Sequence, residues 1–268
     1  MTSDNTDRAD LTDRVALVTG SSSGLGYAAA EALARRGARI VLSSRGGDKL
    51  ATAERRLSAV SPEVISVAAD VRDPLQLEDL VSTAEEALGS IDILVANGGG
   101  PKVKPAAELD DADWEEAWPL VFLFVPRLCR LVLPAMRRRG WGRIVAINSV
   151  STKQPIAGLA LSNSLRPAVM GYVKTLAQEV AAEGVTINAV LPGYTRTERQ
   201  LEIAEGIAAR TGAGVDEVLA ERQGDFPIGR MAEPGEIGEV VGFLCSDAAS
   251  YLTGQAVTVD GGYARGLL

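Results

Sequence analysis

With 268 residues the chain suits one α/β domain rather than two. It has no histidine, which excludes Ser-His-Asp, Cys-His and His-ligated metal chemistry, and its net charge of −8 opposes general attraction to nucleic acid or anionic lipid. Forty-six per cent of residues are hydrophobic but only 4% are aromatic, the make-up of small-residue helices packed closely on a buried parallel sheet.

The first dozen residues are polar and acidic and read as a flexible tail (1–12) ahead of one domain (13–268). No apolar leader and no bilayer-length span is evident, so a cytoplasmic protein without membrane partners is expected. In chain order, β-branched or apolar runs at 15–19, 39–43, 64–68, 91–96, 143–148, 186–191 and 256–259 read as buried strands. Helical patterns fall between them at about 24–36, 47–60, 74–88, 112–139, 160–183 and 234–247. This alternation predicts an α/β fold with a doubly wound, seven-stranded parallel sheet of Rossmann type. Pro119, Pro126 and Pro134 predict a kink in the helix over 112–139, and its Trp118, Phe122 and Phe124 are expected to serve packing before pocket lining. The stretch 194–230 has no strand and carries charged, glycine-containing helical pieces, the character of a lid over a site at the carboxyl ends of the strands. Cys129 and Cys245 form no CxxC pair and read as small buried apolar side chains, so no metal is expected.

The first strand runs into Thr19-Gly20-Ser21-Ser22-Ser23-Gly24-Leu25-Gly26, and a helix follows. A glycine-rich turn in this context lets phosphates approach the backbone and meet the N–H groups at the helix start, so Gly20, Ser22, Ser23, Gly24, Leu25 and Gly26 are candidate dinucleotide contacts. The second strand ends Leu42-Ser43-Ser44-Arg45. An NAD site usually places a carboxylate here for the ribose 2′-hydroxyl, whereas Ser44 and Arg45 suit a 2′-phosphate, which favours NADP(H).

These motifs have companions: Asp70-Val71, Ala96-Asn97-Gly98-Gly99, Pro192-Gly193 with Thr197, and Tyr251-Leu252-Thr253-Gly254-Gln255 ahead of Asp260-Gly261-Gly262. Together they resemble the classical short-chain dehydrogenase/reductase family, over nearly the whole chain from about residue 12, and most of all its 3-oxoacyl-carrier-protein reductase branch. The resemblance implies that Asp70 and Val71 flank the adenine, that Asn97 and Gly98 lie by the adenosine ribose, and that Pro192, Gly193, Thr195 and Thr197 border the nicotinamide. It also implies a homotetramer acting on a small-molecule substrate.

The family's Asn-Ser-Tyr-Lys tetrad is where the resemblance breaks. In the ungapped register Ser149 holds the serine position, but Ser162 stands for the tyrosine, Arg166 for the lysine and Val121 for the asparagine. Tyr172 and Lys174 are too close in sequence to replace the missing pair on one helix face. A serine hydroxyl is far less acidic than a phenol, and a guanidinium stays charged at any working pH. Loss of a general acid costs about 10²–10⁴ in rate, roughly 3–5.5 kcal/mol of barrier.

Ser162 and Arg166 nevertheless share one helix face with Ser149 opposite, so two hydroxyls and a cation can stabilise an oxyanion or enolate, and Arg166 can also hold the nicotinamide ribose. Tyr194 is the first candidate for a substitute proton donor, followed by Lys153 and by Lys102 and Lys104 in the loop after Gly98. Three functions compete: an NADP(H)-dependent oxidoreductase with an atypical site, a non-redox cyclase, lyase or dehydratase on the same scaffold, and a non-catalytic NADP(H)-binding subunit. The intact coenzyme motifs favour the first.

Overall fold

The computed structural model describes residues 10–61, 63–224 and 226–267, apart from the side chains of 221–224. Seven strands form one parallel sheet: β1 (Val15–Thr19), β2 (Arg39–Ser44), β3 (Val64–Ala68), β4 (Ile93–Asn97), β5 (Gly142–Ile147), β6 (Val185–Pro192) and β7 (Ala256–Val259), in the order β3-β2-β1-β4-β5-β6-β7. The central strands are buried on both faces, which explains why their sequences are mostly apolar.

The helices divide between the two faces. The core on one face unites the sheet with α1 (Gly24–Ala34), α2 (Asp48–Leu57) and α9 (Pro234–Cys245). The core on the other unites it with α3 (Pro74–Leu88), α5 (Phe124–Arg139) and α6 (Ala160–Val180). The chain moves outward from β1 in one direction through β2 and β3, then returns to place β4 on its other side. Connections therefore diverge at the carboxyl ends of β1 and β4 and leave a crevice there, the position where doubly wound sheets bind ligands.

The expected kinked helix is α4 (Asp111–Trp118), a π-helical turn over Pro119–Leu123, and α5. Pro119 has no N–H to extend α4, so the break falls there, whereas Pro126 and Pro134 are carried inside α5. Among the described residues the run Asp111–Arg139 is long and apolar enough to cross a membrane, and half of its most apolar window is buried against the protein. The stretch 194–230, expected to form a lid, carries α7 (Glu198–Thr211) and α8 (Val215–Gly224).

The domain starts earlier than the expected boundary at residue 13. Leu11 is fully buried and its N–H donates to the Arg36 carbonyl at 2.7 Å, so it belongs to the core, while residues 1–9 of the expected tail lie outside the described ones. Cys129 and Cys245 are buried, as expected, and burial pushes both thiols up to about 12.

Candidate active site and dinucleotide cleft

A cleft of about 740 Å³ opens along the carboxyl ends of the strands. One end is built by the turn between β1 and α1. Gly20 has φ +58°, and a Cβ there would lie 2.7 Å from the Asn97 carbonyl, so only glycine lets the turn close against β4. The Asn97 side chain donates to the Gly20 carbonyl at 3.0 Å, and its backbone N–H donates to the Thr19 hydroxyl at 3.0 Å. Ser21 turns inward: its hydroxyl donates to the Val18 carbonyl and accepts from the Ser43 N–H. These bonds hold the turn rigid and leave Ser22, Ser23, Gly24 and Leu25 facing the cleft. Ser23, the cap of α1, makes no side-chain cap bond, and the first turn of α1 carries no acidic residue, so its N–H groups remain available to an anion.

Gly26 differs from its expected role. It is absent from the cleft wall; instead a Cβ there would lie 2.3 Å from the Gly20 carbonyl oxygen, so this glycine supports the turn from beneath.

Beyond the turn the cleft is lined by Ser44 and Arg45, then by Asp70, Val71 and Arg72, then by Asn97, Gly98 and Gly99. Arg45 is exposed and, among the described residues, has no carboxylate within ion-pair distance, so its charge is available to a phosphate. Asp70 is held by Arg72 through Nη2 at 2.6 Å and Nε at 3.0 Å, and this guanidinium keeps its carboxyl below the ordinary range. Arg72 was not anticipated; its place two residues beyond Asp70 was the available signal. Pro192, Gly193, Thr195 and Thr197 also line the cleft, on a segment pinned by the Gly193 N–H donating to the Val259 carbonyl and by a bridge between Thr195 and Ala232.

The other end is built by the end of β5 and the start of α6. Ser149, Ser162 and Arg166 all reach this same cleft. The Ser149 hydroxyl accepts from the Ser151 N–H at 3.1 Å and keeps its own proton to donate. Ser162 is buried. Asn163 bonds to both the N–H and the carbonyl of Ile156, which fixes the segment before α6 against the helix.

Asn148 is a functional residue that sequence reasoning missed. Buried at the end of β5, its amide donates to the Arg166 carbonyl at 3.0 Å, and its oxygen accepts from Arg166 Nη1 at 3.4 Å. It therefore positions both the backbone and the guanidinium of Arg166. Burial, and next the neighbouring cation of Arg199, lower Arg166 to about 10, so it remains charged at neutral pH.

Val121 is buried with Ala117, Leu161 and Leu165, so an apolar cluster fills the tetrad asparagine's place. Leu120, one residue earlier in the π turn, lines the cleft instead. Of the expected aromatics, Phe124 is buried against Gly98, and Trp118 stacks on Phe122 with ring centroids 4.5 Å apart, outside the cleft wall.

The candidate proton donors separate clearly. Tyr194 alone among the described tyrosines lines the cleft, where it packs edge-on against Phe226 and Tyr263. Lys153 is corrected: it is exposed and absent from the cleft wall, because the turn after Ser149 directs it outward. Lys102 is engaged by Glu116 at 2.7 Å and by the buried Asp113 at 3.3 Å, Lys104 by Asp113 at 2.7 Å, and these bonds raise both lysines above their ordinary value. Tyr172 lies by the buried Cys129, and burial pushes its phenol up; Lys174 donates to the Gly254 carbonyl at 3.3 Å. The lid adds Arg199, Gln200, Glu202 and Ile203. Among the described residues no cluster of acidic or cysteine side chains could hold a metal.

A family model described as enoyl-(acyl carrier protein) reductase matches residues 20–264. The chain is 37% identical over 257 residues to the oxidoreductase UcpA of Escherichia coli strain K12, covering 94% of this chain and 95% of the relative. It superimposes with a TM-score of 0.91 on L-sorbose reductase from Gluconobacter frateurii, solved with NADPH and L-sorbose, at 35% identity over 97% of this chain and 100% of the other. A TM-score of 0.86 relates it to an NADPH-bound short-chain oxidoreductase from Pseudomonas aeruginosa PAO1 described as containing an atypical catalytic centre, at 33% identity over 96% and 99% of the two chains.

Proposed function

Because the chain belongs to the short-chain dehydrogenase/reductase family, we propose that it is an NADP(H)-dependent oxidoreductase interconverting a carbonyl and an alcohol through a centre that lacks the family's tyrosine and lysine. The observation that carries this reading is one continuous cleft running from the uncapped start of α1 to Ser149, Ser162 and Arg166. The residues fit the coenzyme: a glycine turn that a Cβ would fill, helix N–H groups without a competing acid, and an unpaired Arg45 for the 2′-phosphate.

When bound, the nicotinamide supplies a hydride to the carbonyl carbon or receives one from the alcohol. Ser149 and Ser162 donate hydrogen bonds to the substrate oxygen, and Arg166, steadied by Asn148, stabilises the negative charge that grows on it. Tyr194 is the phenol that delivers the proton to that oxygen, in place of the tyrosine missing from α6. The π turn and the apolar cluster around Val121 leave no polar anchor at the asparagine position, so the proton does not arrive by that route. The family relationship also supports a homotetramer, with the surface pair Trp118 and Phe122 available for subunit contact.

The test follows NADPH absorbance while purified protein is given a panel of carbonyl compounds. Coenzyme oxidation matched by alcohol formation is expected. Substrate loss at constant NADPH would replace this reading with non-redox chemistry, and coenzyme binding without turnover of any carbonyl would replace it with a binding role.

A further inference from the structure

The substrate end of the cleft has an uneven charge balance. Four charged side chains face it: Arg166 from α6, Arg199 and Glu202 from α7, and Glu116 from α4. Glu116 is taken by Lys102 at 2.7 Å, and Glu202, itself 61% exposed, pairs with Arg199 at 3.2 Å. Among the described residues Arg166 has no acidic partner, only the neutral oxygen of Asn148. Among the described residues one positive charge is therefore left uncompensated at the substrate end of the cleft.

Arg199 is held in place rather than free to swing away. Its Nη2 donates to the Pro101 carbonyl at 2.5 Å, and its guanidinium lies where a side chain on Gly100 would be, with Nε 2.5 Å from the site of a Cβ. Gly100 therefore makes room for this cation. After the burial of Arg166 itself, the field of Arg199 also depresses its titration, as expected of two guanidinium groups near enough to repel. Such a pair is costly unless an anion joins it, and a planar carboxylate matches the donor forks of both groups. Apolar side chains line the same cleft: Leu120, Ile156, Leu159 and Ile203.

We propose that the substrate is a carbonyl acid with an apolar chain, whose carboxylate is shared between Arg166 and Arg199 while its carbonyl oxygen is held by Ser149 and Ser162. This deepens the oxidoreductase reading and rests on it for the carbonyl alone; capture of the carboxylate is independent of hydride transfer. A neutral ester of the same chain keeps the apolar contacts and loses the ion pair, a loss of about tenfold or more in affinity.

The experiment titrates NADP⁺-loaded protein by calorimetry with 2-oxooctanoate and 3-oxooctanoate and with the methyl ester of each, in the wild type, R199Q and R199K. At least one acid binding tenfold more tightly than its ester is expected, with the preference lost in R199Q and partly restored in R199K. Equal or tighter binding of both esters, no binding of either acid, or a preference that survives in R199Q would overturn the proposal. Should R199Q fail to fold, the wild-type comparison of acid with ester still decides, since it needs no variant. Acid that binds selectively without NADPH oxidation would overturn the redox reading and leave the substrate class standing. Reduction of esters in preference to acids would do the reverse.

Discussion

The two ends of the cleft obey different rules. At the coenzyme end, backbone does the work: glycines at van der Waals limits and helix N–H groups, with Arg45 free of an acidic partner among the described residues. At the substrate end, side chains from β5, the π turn, α6 and the lid converge, and each has a neighbour that adjusts it. A backbone cradle tolerates little substitution, because a carbonyl oxygen has nowhere to move. A side-chain constellation can be rebuilt, and the proposed register keeps Ser149 while setting Ser162, Arg166 and Val121 where the family has Tyr, Lys and Asn.

If that contrast is right, Gly26→Val produces the largest effect: a side chain meeting the Gly20 carbonyl at 2.3 Å displaces the turn, and coenzyme binding measured by NADPH fluorescence is abolished. Retention of affinity would mean that the turn is not rigid. Next comes Tyr194→Phe, expected to lower kcat by about 10²–10⁴ with unchanged NADPH affinity, as measured by steady-state kinetics. An unchanged kcat would assign proton delivery to another group or to solvent. In the same assay, stabilisation of the substrate oxygen should fade as pH rises through about 10, because Arg166 loses its proton there.

Arg45→Asp is a smaller perturbation, a loss of about 10- to 150-fold in NADPH affinity with NADH little affected, since one charge-assisted contact to the 2′-phosphate is removed. Equal losses for both coenzymes would defeat the 2′-phosphate assignment. The smallest effect is expected from Asp113→Asn, which releases Lys104, leaves Lys102 on Glu116 alone and loosens the loop between β4 and α4. The lysine partners, Lys104 first, hold the Asp113 carboxyl at about 2, below its ordinary 3.8. A depressed carboxyl stabilises the fold above its unfolded value, and that contribution fades as pH falls from about 4 toward 2. Hydrogen exchange in the loop should show this acid loosening in the wild type and none in the variant.

Much of the coenzyme end was legible because its signals are local. TGSSSGLG between a strand and a helix, and Ser44-Arg45 at the next strand end, each carry their geometry in a few consecutive residues. Asn97, expected by the ribose, also ties β4 to the turn through Gly20. Lys153 was misjudged because sequence proximity to Ser149 says nothing about which way a single 3₁₀ turn points the residue that follows it. Asn148 and Arg199 were invisible, since each matters only through a partner distant in sequence: Arg166 for the first, Pro101 and Gly100 for the second.

By itself the sequence determined the alternation of strands and helices, the parallel sheet and the phosphate-binding turn, because periodicity and glycine placement act over neighbouring residues. Tertiary structure decided which charges remain unpaired around Arg166, which loop residues face the cleft and where the prolines break the long helix. Those outcomes depend on packing between elements tens of residues apart, where burial rather than residue type sets what a side chain can do.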